Sequence, residues 1–449
     1  MCRRPSGRSE DTTSIHDVTQ LAPSLWPRTA RVEPDGEISV DGLRLGSLAA
    51  DWGTPAYILD EADVRHRCRG YASAFPDGEV AYAGKAFLCR AMARWVASEG
   101  LSLDACSAGE LAVARAAGFP AHRIIMHGNA KTPQDLRAAL DYGVGRIVVD
   151  NAQEITRLAA LTPGRQRVLI RVTPGVDAHA HPAVTTGVED QKFGFSLSSG
   201  AAADAVRRIL DHPELKLGGL HCHLGSQITD MTAYEAAARR LLAFMAEVRD
   251  RHGVTLSELN LGGGHAVPYV AGDPEFDLAE FAIRMRRVIG AECGKLRLTV
   301  PRLTVEPGRA IVNRAMLTLY RVIAIKQASG PHALVVVDGG MSDNPRPGLY
   351  GARYSVHAAR PSHAPLRTVT VAGRHCEAGD LLAVDVPLPA DIRPGDVVVV
   401  PGTGAYNYSM ASNYNMVGRP PVIAVADGAA RLIIRRETSS DLLLRDVSV

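Results

Sequence analysis

The sequence predicts an α/β protein in two parts, a (β/α)8 TIM barrel followed by a second, all-β domain of sandwich- or barrel-like build. Three observations carry that expectation. At 449 residues the chain exceeds the size at which one hydrophobic core usually divides. Between residues 79 and 308 one unit recurs eight times: a short apolar run, a polar or Gly-rich stop, then an amphipathic stretch rich in Ala, Leu and Arg. Beyond residue 310 the helical period fades, and short Val/Ile/Leu runs divided by Gly and Pro replace it.

In chain order the strand runs of the repeat are 79–85, 101–107, 123–128, 146–151, 168–175, 217–226, 258–264 and 302–308, with helical patterns between them at 90–97, 108–115 and 233–245 among others. Eight alternations in about 230 residues suit a closed barrel better than an open doubly wound sheet. In such barrels the chemistry sits at the C-terminal ends of the strands, and each run here ends on a polar or Gly-rich stop. The later strand runs are 316–325, 333–338, 366–372, 381–386, 396–400, 421–426 and 431–435. The run 37–45 reads as one more strand that joins them. The expected organisation is therefore a tail at 1–35, strands at 36–56 that join the β domain, a barrel at 57–309 and the β domain at 310–449.

Composition excludes several classes. Fifty basic residues nearly cancel 48 acidic ones, without a block of like charge or a basic stretch interleaved with aromatics, so nucleic acid is not an expected partner. No uncharged stretch reaches membrane-spanning length, and the first 35 residues lack an apolar signal core. Seven cysteines without CxxC spacing imply reduced thiols and a cytoplasmic protein.

Only six of the 50 basic residues are lysines, and one of them, Lys85, closes the first apolar run of the repeat. An amine there can lose its proton and attack a carbonyl, which a guanidinium cannot, so Lys85 is a candidate Schiff-base lysine; a solvated strand end is the plainer alternative. Gly225-Ser226, Gly262-Gly263-Gly264 and Gly308-Arg309 end later strands, where backbone N–H groups can cradle a phosphate, although each is also an ordinary turn. Glu306 closes the last apolar run and needs a partner there. That partner is either Arg309 or the protonated ring nitrogen of a cofactor, which a carboxylate would keep protonated. Lysine, phosphate cradle and carboxylate together describe a site for pyridoxal 5'-phosphate. His221 and His223, with His179 and His181, could instead share a metal, but no bridging carboxylate accompanies them, and no metal is expected.

The motifs AYAGKAF (81–87), HCHLGSQ (221–227), LNLGGGHAVPY (259–269), VEPGRAIV (305–312), DGGMSDNPRPGLYGARY (338–354) and HCEAGD (375–380) occur in this order. The ensemble resembles the diaminopimelate decarboxylase family, barrel-type pyridoxal phosphate enzymes related to alanine racemases and ornithine decarboxylases, from about residue 20 to 438. The resemblance implies Lys85 as the cofactor's lysine, His223 stacked on its ring, Ser226, Gly263, Gly264 and Gly308 near its phosphate, and Glu306 on its ring nitrogen. It also implies Arg309, Arg346 and Tyr350 on the substrate, with Tyr406 near both phosphate and substrate. Cys376 would be the proton donor and Glu377 the reader of the distal amine, both from the partner subunit of a homodimer with shared active sites.

The chemistry of those residue types agrees. Meso-2,6-diaminopimelate carries an ammonium and a carboxylate at its distal end, so a discriminating site needs a Glu and an Arg. A thiol of ordinary pKa, about 8.5, stays protonated near neutrality and can act as an acid; a buried apolar role is the alternative for Cys376. The expected reaction is decarboxylation of meso-diaminopimelate to L-lysine and carbon dioxide. Another decarboxylase of the same fold, acting on arginine, ornithine or a carboxylated polyamine, is the nearest rival. The segment 127–131 carries Ala130 where the family often has a second asparagine, and 185–195 corresponds to its mobile loop.

Overall fold

The computed structural model describes residues 21–177, 192–327 and 332–447. His179, His181, most of the 185–195 loop and the tail up to residue 20 lie outside the described residues. Eight parallel strands, Glu79–Ala83, Ser102–Ala105, Ile124–Met126, Arg146–Val149, Gln166–Thr173, Leu215–His221, Glu258–Asn260 and Arg302–Val305, fall within or overlap the eight predicted runs. The first pairs with both the second and the last, so the sheet closes into a barrel. The helices between them begin where the sequence places caps. Ser107 accepts from the Glu110 N–H and Gly118 ends that helix in the left-handed conformation, while Thr132 and Asp135 form a capping box with Pro133 at the first position.

A second sheet orders its strands Leu381–Pro389, Leu366–Ala372, Ala333–Val337, Met316–Gln327, Ala56–Asp60, Val422–Ala426 and Ala429–Ile434, with Val397–Pro401 added on Met316–Gln327. Every later run predicted as a strand is one. The N-terminal contribution differs from expectation. The strand that enters this sheet is Ala56–Asp60, between Met316–Gln327 and Val422–Ala426. Residues 37–45 instead form a small separate sheet, Ala30–Val32, Ile38–Val40 and Leu43–Arg44, which packs its apolar side against Ile58, Leu317, Leu319 and Val399. Nor are residues 21–35 a loose tail. Leu25 and Trp26 are buried in the same cluster, with the Trp26 ring edge-on to His357 at 5.1 Å. Two adjacent large apolar side chains gain more from burial than the backbone there loses in freedom.

Asp60 ends the sheet strand and caps the next helix, Glu61–Ala74, by accepting from the Asp63 N–H. The chain then runs through the whole barrel and returns at Met316, which pairs back onto Leu59. The barrel is thus inserted between two neighbouring strands of the β sheet, which fixes the sheet's loops over the C-terminal rim. The Tyr406 N–H donates to the Ala86 carbonyl at 2.9 Å, and Ser409 Oγ donates to the same oxygen at 3.1 Å.

The opposite end of the barrel is closed by charge. Arg146, on the fourth strand, bonds Glu79 on the first and Glu258 on the seventh at 2.7 Å, while Arg302 on the eighth reaches both carboxylates and Arg167 on the fifth reaches Glu258. Arg146 holds the Glu79 carboxyl below its usual range against the opposing effect of burial. Removing Arg146 would leave two acids in a nearly dry site, their side chains only 9% and 3% exposed. Arg146→Ala is expected to cost about 1.5–3 kcal/mol of unfolding free energy, because Arg302 and Arg167 still reach the two carboxylates, read as a lower denaturant midpoint. Because the Glu79 pKa is depressed in the fold, its share of the stability is full above the unfolded carboxyl pKa and is lost as pH falls; the variant should lose that acid-side dependence.

Candidate active site

Lys85 lies in a short 3-10 turn, Gly84–Ala86, that stops the first barrel strand, and its side chain opens into a pocket at the C-terminal rim. The pocket is lined by Lys85, His223, Gly225, Ser226, Gly264 and Glu306 from the barrel strands, joined by Gly308 and Arg309 after the last strand and by Tyr406 from the β domain. Lys85 is exposed to the pocket, and although the surrounding protein partly desolvates its charge, Tyr406, Asp104 and Glu306 outweigh that effect and hold the ammonium above its ordinary pKa. Negative charge around the pocket keeps the proton on.

Glu306 sits at the pocket's inner wall, 5% exposed, and three side chains meet its two oxygens. Asn260 Nδ2 donates to Oε1 at 2.6 Å, His127 Nε2 lies 2.8 Å from Oε1, and His221 Nε2 lies 3.2 Å from Oε2. Burial alone would raise this carboxyl, and the two imidazoles more than offset it, so Glu306 stays ionised well below the usual range. Asp104, 3.6 Å from His127, is driven the other way, up to about 6, chiefly by burial. Arg309 is not the partner of Glu306: its guanidinium donates to Ser226 Oγ at 2.9 Å and to the Tyr269 hydroxyl.

His221 ends the sixth strand, and His223 stands two residues beyond it in the stop that follows. His221 contacts Glu306, and His223 lines the pocket with its Nδ1 accepting the Gly263 N–H at 3.1 Å. Gly263 itself stands behind the wall, where a Cβ would come within 2.1 Å of the Glu306 carbonyl. Gly264 faces the pocket at φ +99°, and a Cβ there would sit 2.3 Å from the Gly225 carbonyl. Only glycine lets these two strand ends approach so closely.

On the rim, two arginines converge on one phenol. Arg309 donates to the Tyr269 hydroxyl, and the Arg346 guanidinium lies over the Tyr269 ring at 4.2 Å. Arg346 also donates to the Tyr354 hydroxyl at 2.6 Å, which in turn accepts from Asn407 Nδ2 at 3.3 Å. Tyr406 lies beneath Arg309, ring centroid 4.7 Å from the guanidinium carbon, and holds φ +64°. That conformation costs a bulky residue about 1–3 kcal/mol and recurs where function over-determines the backbone. Tyr350 shares the short helix Arg346–Tyr350 but does not line the pocket. Cys376 and Glu377 are exposed and lie outside the pocket of their own chain, so the buried apolar alternative for Cys376 is wrong.

Sequence reasoning did not assign His127, Asn260, Tyr269 or Tyr354, although each falls inside a quoted motif. The carboxylate needed for the metal reading is present after all. Among the described residues His127, His221 and Glu306 bring their ligand atoms within 4.8 Å of one another. The 2.8 and 3.2 Å contacts are hydrogen-bond spacings, and the same carboxylate faces the pocket.

A lysine opening into a pocket, a carboxylate kept ionised at its inner wall, and strand ends pared to glycine together define a barrel enzyme that holds pyridoxal phosphate. Residues 61–313 match the family described as pyridoxal-dependent decarboxylase, pyridoxal binding domain. A diaminopimelate decarboxylase of Actinosynnema pretiosum is 57% identical over 95% of this chain and 96% of its own. Its counterpart from Mycobacterium tuberculosis is 46% identical over 96% of this chain and all of its own. A crystal structure of diaminopimelate decarboxylase from M. jannaschii in complex with L-lysine superposes with a TM-score of 0.88 at 30% identity, covering 94% of this chain and 98% of that one. The chain belongs to the pyridoxal-dependent decarboxylases, and among them to the diaminopimelate decarboxylase family.

Burial, only partly offset by Glu306, takes the His221 imidazole down to about 3. It is expected to remain neutral and to donate through Nε2 from pH 5 to 8, so its ring resonances should not titrate there; a step near pH 6.5 would contradict the hydrogen-bond assignment.

Proposed function

We propose that this chain decarboxylates meso-2,6-diaminopimelate to L-lysine and carbon dioxide, the last step of lysine biosynthesis, as a cytoplasmic homodimer with shared active sites. The observation that carries the reading is the pairing of Arg309, which lines the pocket that Lys85 enters, with the buried Arg346 on Tyr269. Two guanidinium groups there suit a substrate with a carboxylate at its far end, which arginine and ornithine lack. The identity to diaminopimelate decarboxylases over nearly the whole chain supports the same substrate.

Pyridoxal phosphate supplies the electron sink into which an α-carbon can release the electrons of a departing carboxylate. The protein's residues do the rest. Lys85 Nζ would hold the cofactor covalently, and because its neighbours keep it cationic, its proton must leave before the nitrogen can bond a carbonyl carbon. His223 would support the ring face. Ser226, Gly264 and Gly308, with the N–H of Gly263 fixing His223, would shape the phosphate end. Glu306, ionised by His127, His221 and Asn260, would keep a proton on the ring nitrogen. Arg309, Arg346, Tyr350 and Tyr406 would hold the substrate.

Among the described residues no thiol lines the pocket of one chain, yet Cys376 and Glu377 stand exposed on a β-domain loop. Their exposure supports the reading that the partner subunit's Cys376 protonates the α-carbon from Sγ and the partner subunit's Glu377 binds the distal ammonium. The six described cysteines are free thiols, as suits the reducing cytosol.

Borohydride reduction followed by peptide mapping should place the cofactor's mass on Lys85. Lys85→Ala should neither carry that mass nor form L-lysine. Cys376→Ala should keep it and form L-lysine slower by roughly 100-fold or more, the scale of a lost general acid; full activity in that variant would remove the thiol from the mechanism.

A further inference from the structure

The loop that bears Cys376 and Glu377 spans residues 373–380, between the strands Leu366–Ala372 and Leu381–Pro389. Its exposed tip rests on a buried base, and one side chain organises that base. Asp380 is 3% exposed, and its carboxylate accepts two backbone N–H groups from different segments: His375 at 2.7 Å within the loop, and Met341 at 2.6 Å in the turn that leads into Arg346. Its own backbone closes the loop, as Gly373 N–H donates to the Asp380 carbonyl at 2.8 Å and Asp380 N–H to the Glu377 carbonyl at 3.1 Å. The space around the carboxylate is reserved on both sides. A Cβ at Gly373 would come within 2.2 Å of it, and one at Gly340 within 2.5 Å.

We infer that Asp380 is a positioning residue for Cys376 and Glu377, fixing the loop that one subunit presents to its partner's pocket onto the segment that carries Arg346 of its own. The inference rests on the shared-site reading above. His375 and Cys376 are consecutive, so holding the His375 N–H sets the direction in which the next side chain leaves the loop. The Cys376 N–H is fixed independently by Asn415 Oδ1 at 3.0 Å, and His375 Nε2 contacts Ser342 Oγ at 2.8 Å, which leaves the tip few ways to shift without losing Asp380. An acid and a distal-amine reader that must meet a substrate across an interface depend on the backbone bonds that hold the loop, of which Asp380 accepts two. Misplacement by about 1 Å is enough to cost on the order of 100-fold in rate.

Asp380→Asn keeps the shape but turns an N–H toward one of the two backbone donors. The variant should retain the cofactor on Lys85 and lose roughly 10- to 100-fold in kcat. The decisive readout is complementation between impaired partners. Mixed with Lys85→Ala, Asp380→Asn should regain activity, because the mixed dimer joins an intact Lys85 pocket to an intact loop; random pairing in a two-fold dimer leaves roughly a quarter of the sites whole. Mixed with Cys376→Ala it should regain none, since both lesions lie in the loop half. Gly373→Ala, which forces a methyl against the carboxylate while keeping its charge, should show the same pattern and covers the case in which Asp380→Asn fails to fold. Wild-type activity in both variants, rescue by Cys376→Ala, or rescue by neither partner would overturn the assignment. A Lys85→Ala and Cys376→Ala mixture that stays inactive would instead overturn the shared-site reading, and the Asp380 inference with it.

Discussion

The site depends on keeping one buried carboxylate ionised. Glu306 lies where water cannot solvate it, and desolvation alone would return its proton. In place of that water, Asn260 donates a hydrogen bond and the His127 and His221 imidazoles lie against the carboxylate, all drawn from the third, sixth and seventh strands or the stops that follow them. Because these groups come from separate strands, the charge state of Glu306 is a property of the closed barrel and not of any local segment. A cofactor ring nitrogen placed against it would meet an acceptor already organised, with no reorganisation at the moment of reaction.

The same charge governs the other end of the pocket. Together with Tyr406 and Asp104 it holds Lys85 above its ordinary pKa, so the amine of the pocket and its buried carboxylate are electrostatically linked. The β domain enters through Tyr406, whose N–H is bound to the Ala86 carbonyl next to Lys85, and through Arg346, which shares Tyr269 with Arg309. Insertion of the barrel between the strands Ala56–Asp60 and Met316–Gln327 makes this meeting unavoidable, since the chain leaves and re-enters the sheet side by side. The proposed substrate-binding residues thus lie at the seam of the two parts, and the loop of residues 373–380 stands exposed beyond it.

Much of this is legible in the sequence, for a physical reason. Parallel barrel strands are buried on both faces, so each writes a continuous apolar run and each catalytic stop interrupts it. Lys85, His223, Ser226, Gly264, Glu306, Gly308 and Arg309 stand at such interruptions, and the pocket gathers all of them. Tyr406 arrives from the β domain, in the segment 402–409 that follows the strand Val397–Pro401. What the sequence hides is partnership. His127 and Asn260 sit in readable stops, but only the stagger of neighbouring strands brings them to one carboxylate. Tyr269 looks like the end of a turn until the chain folds it between two arginines. Trp26 looks like part of a polar tail, because the surface that buries it comes from residues some 290 positions away, such as Leu317. The role of Asp380 is masked in the same way, since HCEAGD shows a charged loop end and not the Met341 N–H that it binds.

The central claim is that this pocket, with its paired arginines, selects an amino acid that has a carboxylate at both ends. Carbon dioxide release measured side by side from meso-diaminopimelate, ornithine, arginine and a carboxylated polyamine tests it most directly. Release from meso-diaminopimelate, with L-lysine formed in equal amount and the others turned over negligibly, is the predicted result. Comparable or faster release from ornithine or arginine would contradict it.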